Sequence, residues 1–170
     1  MRRAFVTIAV AATLLGPRPG CAQEDAHGIY ERQCHGCHAE HGADLARQKY
    51  KLENDVLSVA RTGARVETLL RKHHGVSLTA SETAALLTLF KSGIRWAGVY
   101  QRLCARCHDK AAGFARERLL LRDGQLVSRK DGAEVGELLK QHGGGSDEEI
   151  STLMEMLRYQ LATDAKKPAR

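Results

Sequence analysis

The residues best equipped for chemistry in this 170-residue chain are Cys34-His35-Gly36-Cys37-His38, a pentad whose pattern returns as Cys104-Ala105-Arg106-Cys107-His108. The spacing Cys-x-x-Cys-His suits covalent attachment of haem c: the two sulfurs add to the vinyl groups and the histidine binds the iron. It has a mechanical basis. Two intervening residues put both sulfurs on one side of a helical turn, and the next residue turns its ring towards the metal. Two pentads therefore predict two haem c groups, anchored by Cys34, Cys37, Cys104 and Cys107, with His38 and His108 as proximal iron ligands. Other uses of these cysteines fit less well. One zinc ion could take all four thiolates, but His38 and His108 would then recur by coincidence. A thioredoxin-like dithiol needs a strand leading into a helix, and no strand is expected before either pair.

A haem iron has a second axial position, and its occupant separates electron carriage from ligand chemistry. Beyond the first residue the methionines are Met154 and Met156, which align with Leu87 and Leu89 of the first copy and are expected to be core side chains. Histidine is the better candidate. His73 and His142 close two Leu-Leu-x-x-His stretches, 35 and 34 residues after His38 and His108. The expected pairs are His38 with His73 and His108 with His142. His74 competes with His73, because His74-Gly75 also matches His142-Gly143 when a gap moves by one residue. His35 is replaced by Ala105, His27 and His41 have no histidine counterpart, and His41 follows His38 too closely to reach the opposite haem face. All three are expected at the surface.

The elements that must position these groups also come in duplicate. Gly28-Ile-Tyr-Glu-Arg-Gln-Cys34 matches Gly98-Val-Tyr-Gln-Arg-Leu-Cys104, Leu52 to His73 matches Leu121 to His142 without a gap, and Glu82 to Phe90 matches Glu149 to Leu157. The chain is a tandem duplication: a leader (1–22), a first copy (23–92), a second copy (93–162) and a flexible tail (163–170). Each copy predicts a first helix into the pentad (about Ala26 to Cys37 and Trp96 to Cys107) and then an irregular stretch with turn residues Asn54-Asp55 or Asp123-Gly124. A short hairpin is expected only within Leu119 to Arg129; its counterpart Val56 to Arg61 is expected to be partly ordered. A middle helix (about Ala64 to His73 and Ala133 to His142) closes at Gly75 or at Gly143, Gly144 and Gly145. Thr79 with Glu82, and Ser146 with Glu149, are capping boxes that open the last helices, Ala84 to Phe90 and Ile150 to Leu161. Ser92 and Gly93, within the six-residue connection Lys91 to Trp96, should join the copies, with Trp96 packed at the boundary.

The N-terminus predicts export. Arg2 and Arg3 precede an apolar run of 13 residues, Ala4 to Gly16, and Gly20-Cys21-Ala22 is a small-residue cleavage site, cut after Ala22. The run is shorter than the ~20 residues a membrane span needs. No later stretch is long enough, so no integral membrane segment is expected. Cys21 as a lipid carrier is a weaker reading, since Arg18-Pro19-Gly20 makes a poor lead-in. Removing the leader takes three of the 26 basic residues and none of the 20 acidic ones, leaving a balance of +3. That is a weak basis for nucleic-acid binding and suits docking of an acidic redox protein better.

Together, the aromatic one turn before each pentad (Tyr30, Tyr100), the ligand in a loop and the closing helix with Thr/Ser-x-x-Glu resemble class I cytochrome c domains, over essentially Ala26 to Leu161. The resemblance implies an all-α fold of two tandem haem domains, with first and last helices crossing near the haem edge. Haem attachment on the outer side of a bacterial inner membrane follows from the same likeness and places the chain in the periplasm. Histidine where that family usually has methionine is closer to bis-histidine dihaem cytochromes and implies a lower potential. The function implied is electron transfer between redox proteins, by a carrier that is not an enzyme. Two alternatives remain open: a haem enzyme, peroxidase-like or acting on sulfur or nitrogen compounds at a displaceable histidine, and an electron-accepting subunit of a dehydrogenase. Each copy of about 70 residues has few aromatics, so a buried haem is expected to complete its core.

Overall fold

A computed structural model describes residues 25–38, 41–108, 110–142 and 144–165. The expected leader with Cys21, the cleavage position after Ala22, Gly143 and residues 166–170 lie outside them. Helix α1 (Ala26–Gln33) starts where the Asp25 carboxylate accepts a hydrogen bond from the Gly28 amide at 2.8 Å. It buries Ile29 and Tyr30 and ends at the pentad, where Cys34 to Cys37 form turns instead of continuing the helix.

Helix α2 (Gly42–Lys49) runs directly into strand β1 (Tyr50–Glu53), which pairs antiparallel with β2 (Val56–Val59), Tyr50 opposite Val59. A short α3 (Val66–Arg71) follows, then α4 (Ala80–Leu103). The same order returns as α5 (Ala111–Arg118), β3 (Leu119–Arg122), β4 (Gln125–Ser128), α6 (Val135–His142) and α7 (Asp147–Ala165). The fold is thus mainly helical with two short hairpins.

Four expectations need correction. The first copy has a hairpin as regular as the second: Asn54 and Asp55 both adopt positive φ, 49° and 61°, as a two-residue hairpin loop requires. In the second copy Asp123 and Gly124 do the same, at 51° and 78°. The stretch expected to be irregular also holds α2 and α5. Both are eight residues long and lack a side-chain N-cap bond, so packing against α4 and α7 holds them rather than a local signal. The copies are not joined by a linker. Lys91 to Trp96 lies inside the unbroken 24-residue α4, because one glycine costs a helix only about 1 kcal/mol. Finally, α7 continues to Ala165, so the expected tail begins as helix.

Both capping boxes form. Glu82 accepts from the Thr79 amide at 2.8 Å and donates its own amide to Thr79 Oγ1 at 3.2 Å. Glu149 does the same with Ser146, at 2.7 and 3.3 Å. Each glutamate also pairs with an arginine two residues before the first cysteine of a pentad: Arg32 with Glu82 at 3.1 Å, and Arg102 with Glu149. The Thr79 backbone and hydroxyl bonds hold the Glu82 carboxyl below the usual range, with Arg32 adding to them. For Glu149 the Arg102 bond leads and the Ser146 bonds follow. Sequence-matched clasps thus tie the last helix of each copy to the turn that carries its cysteines.

The first-copy core centres on Tyr30, Leu86 and Phe90, with Tyr30 and Tyr50 ring-edge contacts to Phe90 at 6.2 and 5.3 Å. Leu126, Val135, Leu153 and Leu157 fill the second. Met156 is buried there and Met154 packs against the core beside Gly136, as core side chains should. Trp96 is buried, meets the tilted ring of Tyr159 of α7 at 4.9 Å and donates to Glu155 at 3.4 Å, so it packs where the copies meet. Among the described residues no helix is long and apolar enough to cross a membrane.

Helices α2 and α4 touch backbone to backbone. A Cβ on Gly93 would stand 2.8 Å from both Cα and the carbonyl oxygen of Ala43. Gly93→Ala should therefore destabilise the chain by about 1–3 kcal/mol. Gly98→Ala, on the same helix with nothing within 4 Å, should be neutral or stabilising by up to about 1 kcal/mol. Chemical denaturation of the two variants checks this, and equal effects would contradict the close crossing.

Candidate functional site

Each pentad is a tight turn hung on the end of a helix. Cys34 donates to the Tyr30 carbonyl at 2.8 Å, and Cys37 and His38 donate back to the Cys34 carbonyl at 3.1 and 3.0 Å. In the second copy Cys104, Cys107 and His108 repeat these bonds at 2.9, 3.1 and 2.9 Å. In both turns the first cysteine is half-buried and the second exposed. Burial pushes the Cys34 thiol up, with the Glu31 carboxylate adding to it; burial alone does so for Cys104.

Opposite each turn stands the histidine named from the sequence. The His38 and His73 ring centres are 6.0 Å apart, and those of His108 and His142 are 6.2 Å apart. Two imidazoles bonded at about 2.0–2.1 Å on opposite sides of one metal ion set their ring centres roughly 6.3 Å apart. The residues present therefore fit an iron held between two histidines in each copy. His73 reaches its place beyond the end of α3, where Gly75 turns the chain with φ +76°. His142 is the last residue of α6.

His73 and His74 both line the cleft beside His38. His73 Nδ1 lies 3.1 Å from the His74 carbonyl oxygen. A carbonyl only accepts, so Nδ1 carries the proton and Nε2 keeps the lone pair that binds a metal. It is the His73 ring that meets His38, while His74 supplies the carbonyl that sets its tautomer.

Between the halves of the first pair is a cavity of about 100 Å3, opening into a cleft with about 560 Å3 of atom-free space, part of it open to solvent. Cys34, Cys37, His38 and His73 line it, with Tyr30 and Phe90 behind. The enclosed part is smaller than a typical cofactor pocket of roughly 300–1,000 Å3, so it would not by itself enclose a group of haem size. Tyr50, Leu70 and Phe90 also line this space. The sequence reading missed them as lining residues; their only signal is the apolar pattern around each pentad. In the second copy Phe114 lies 4.6 Å from the His108 ring, a position held by Leu45 in the first.

Of the histidines expected at the surface, His35 and His41 are exposed, but the His27 side chain is only 11% exposed. Tyr159 covers it, edge-on at 5.8 Å, from a helix 132 residues away in sequence. No protein-family model, curated protein or solved structure matches the chain.

In the chain with free thiols, Cys37 and Cys107 should alkylate several-fold faster than Cys34 and Cys104 near neutral pH, since the thiolate reacts and burial disfavours it. Peptide mass spectrometry after brief iodoacetamide treatment reads the four sites separately. Equal rates at all four would contradict the turn geometry.

Proposed function

We propose that the chain is an exported dihaem c-type cytochrome that passes electrons between redox proteins, with one haem c in each copy held by a histidine pair. The observation that carries this reading is the facing of His38 with His73 and of His108 with His142, each beside a Cys-x-x-Cys turn, at the spacing one axially bound metal needs. A haem bound there alternates between ferric and ferrous iron and so takes up and releases one electron.

The chain's own residues do the rest. Cys34 and Cys37, and Cys104 and Cys107, anchor the groups through thioethers. His38 and His108 bind from the turn, and His73 and His142 from the far side. With a histidine nitrogen offered from each side, little would have to move when the charge changes. That favours carriage over catalysis and a potential below that given by methionine.

Helix α4 lends the two sites a fixed relation. Phe90 backs the first cleft and Cys104 follows the same helix's end, 14 residues on and about 21 Å along the axis at 1.5 Å per residue. Export to the periplasm rests on the basic, apolar and small-residue order of the first 22 residues.

The chain made in a host that exports it and attaches haem should give two low-spin signals in low-temperature EPR. His142→Ala should abolish one, His73→Ala the other, and His74→Ala neither. A high-spin signal from the unmutated chain would overturn the paired ligation and favour an enzyme with an open iron.

A further inference from the structure

Three more histidines gather along α1, away from the facing pairs. His27, Glu31 and His35 recur every four residues and so share one side of α1 and the turn after it. His41, the residue before α2, faces them. The Glu31 carboxylate is where they meet. Its Oε1 lies 3.0 Å from His41 Nδ1 and 3.8 Å from His27 Nδ1, and its Oε2 lies 3.7 Å from His35 Nδ1. One ligand atom from each of His27, Glu31 and His41 falls within 4.8 Å of the others. His35 stacks on His41, ring centres 6.1 Å apart and planes 23° apart.

We infer that His27, Glu31 and His41, with His35 beside them as a fourth donor, form a binding site for a divalent transition-metal ion of the Zn2+ or Cu2+ kind. Two imidazoles and a carboxylate are a donor set for these ions. Tetrahedral bonds of about 2.0–2.1 Å place neighbouring donor atoms roughly 3.3 Å apart, so the observed 3.0 and 3.8 Å separations bracket the requirement. Small side-chain rotations close the set. One side of the site is covered, because Tyr159 lies over His27 with its hydroxyl 3.4 Å from Nδ1. The other is open, since the His41 side chain is 57% exposed. An ion can therefore enter and keep one position for water or a further ligand.

The second copy supplies an internal control. The positions of His27, Glu31, His35 and His41 are held there by Ala97, Gln101, Ala105 and Lys110, the last again the residue before its helix. Interleaved with them, Gly28, Tyr30, Arg32 and Cys34 return unchanged as Gly98, Tyr100, Arg102 and Cys104. The scaffold is common to both copies and the donor set belongs to one, so the duplicated fold does not require it. None of the four residues is a cysteine anchor or a member of a facing pair, and of the four His35 alone sits between the two cysteines of a pentad.

The test is Zn2+ uptake by the full chain, measured in competition with a chromophoric chelator, for the unmutated protein, His41→Ala, Glu31→Gln and the double variant His27→Ala/His41→Ala. All variants keep every cysteine and both facing pairs, so binding there cancels in the comparison. The unmutated chain should take up one more Zn2+ than the double variant, and the single variants should hold that ion at least about tenfold more weakly. Cu2+ should bind more tightly than Zn2+. His41 is exposed, so His41→Ala should unfold at the same temperature as the unmutated chain without metal, and the unmutated chain should gain more stability than any variant on adding Zn2+. Equal uptake by the unmutated chain and the double variant would overturn the inference and leave Glu31 a simple acceptor of imidazole hydrogen bonds.

Discussion

The backbone contact between Gly93 and Ala43 is the constraint on which the rest of the arrangement depends. It seats α4 directly on α2, and α4 belongs to both copies: its first half closes one core and its end carries the second pentad. A bulkier residue at Gly93 would lift α4 from α2 and disturb the wall of the first cleft. Lys91 and Arg95 reinforce the seat by pairing with Asp55 in the hairpin turn, at 2.6 and 2.8 Å. The Lys91 bond leads in holding the Asp55 carboxyl below the usual range. These pairs are exposed and contribute direction more than stability.

Around that seat each copy solves one problem twice. A turn of two cysteines and a histidine must face a second histidine more than thirty residues later in the chain. The hairpin between them shortens that path, since the antiparallel strands return the chain near its start, and the middle helix then ends opposite the pentad. The arginine–glutamate clasps, Arg32 with Glu82 and Arg102 with Glu149, fix the last helix against the turn at the same level. Aromatic contact of Tyr30 and Tyr50 with Phe90 stiffens the first copy, whereas in the second Leu126, Val135, Leu153, Met156 and Leu157 are buried and Phe114 packs on His108. The same backbone order therefore surrounds two differently packed sites.

Much of the site was legible in the sequence because its chemistry lies in short, repeated motifs. Cys34, Cys37, His38 and their counterparts sit in pentads, and register matched His142 with His73 or, after a one-residue gap shift, with His74. The capping boxes were legible too, since Thr79-x-x-Glu82 and Ser146-x-x-Glu149 are local signals. What stayed hidden depends on contact between distant segments. Helices α2 and α5 have no cap and little apolar face of their own. The first hairpin turns on Asn54-Asp55, a weaker signal than Asp123-Gly124. Ser92-Gly93 resembles a linker until Ala43 is seen beneath it, and His27 resembles a surface residue until Tyr159 is seen above it. The contact of the His73 ring with His38 and of its Nδ1 with the His74 carbonyl is likewise one that no alignment supplies.

The central claim is that both Cys-x-x-Cys turns carry covalent haem opposite their histidines. Intact-mass spectrometry of the denatured, exported chain tests it most directly, because only thioether-linked haem survives unfolding. The expected result is a single species beginning after Ala22 with the mass of two haems added, and one haem fewer when Cys34 and Cys37, or Cys104 and Cys107, are replaced by alanine. A chain of unmodified mass from a host that attaches haem to other proteins would contradict it.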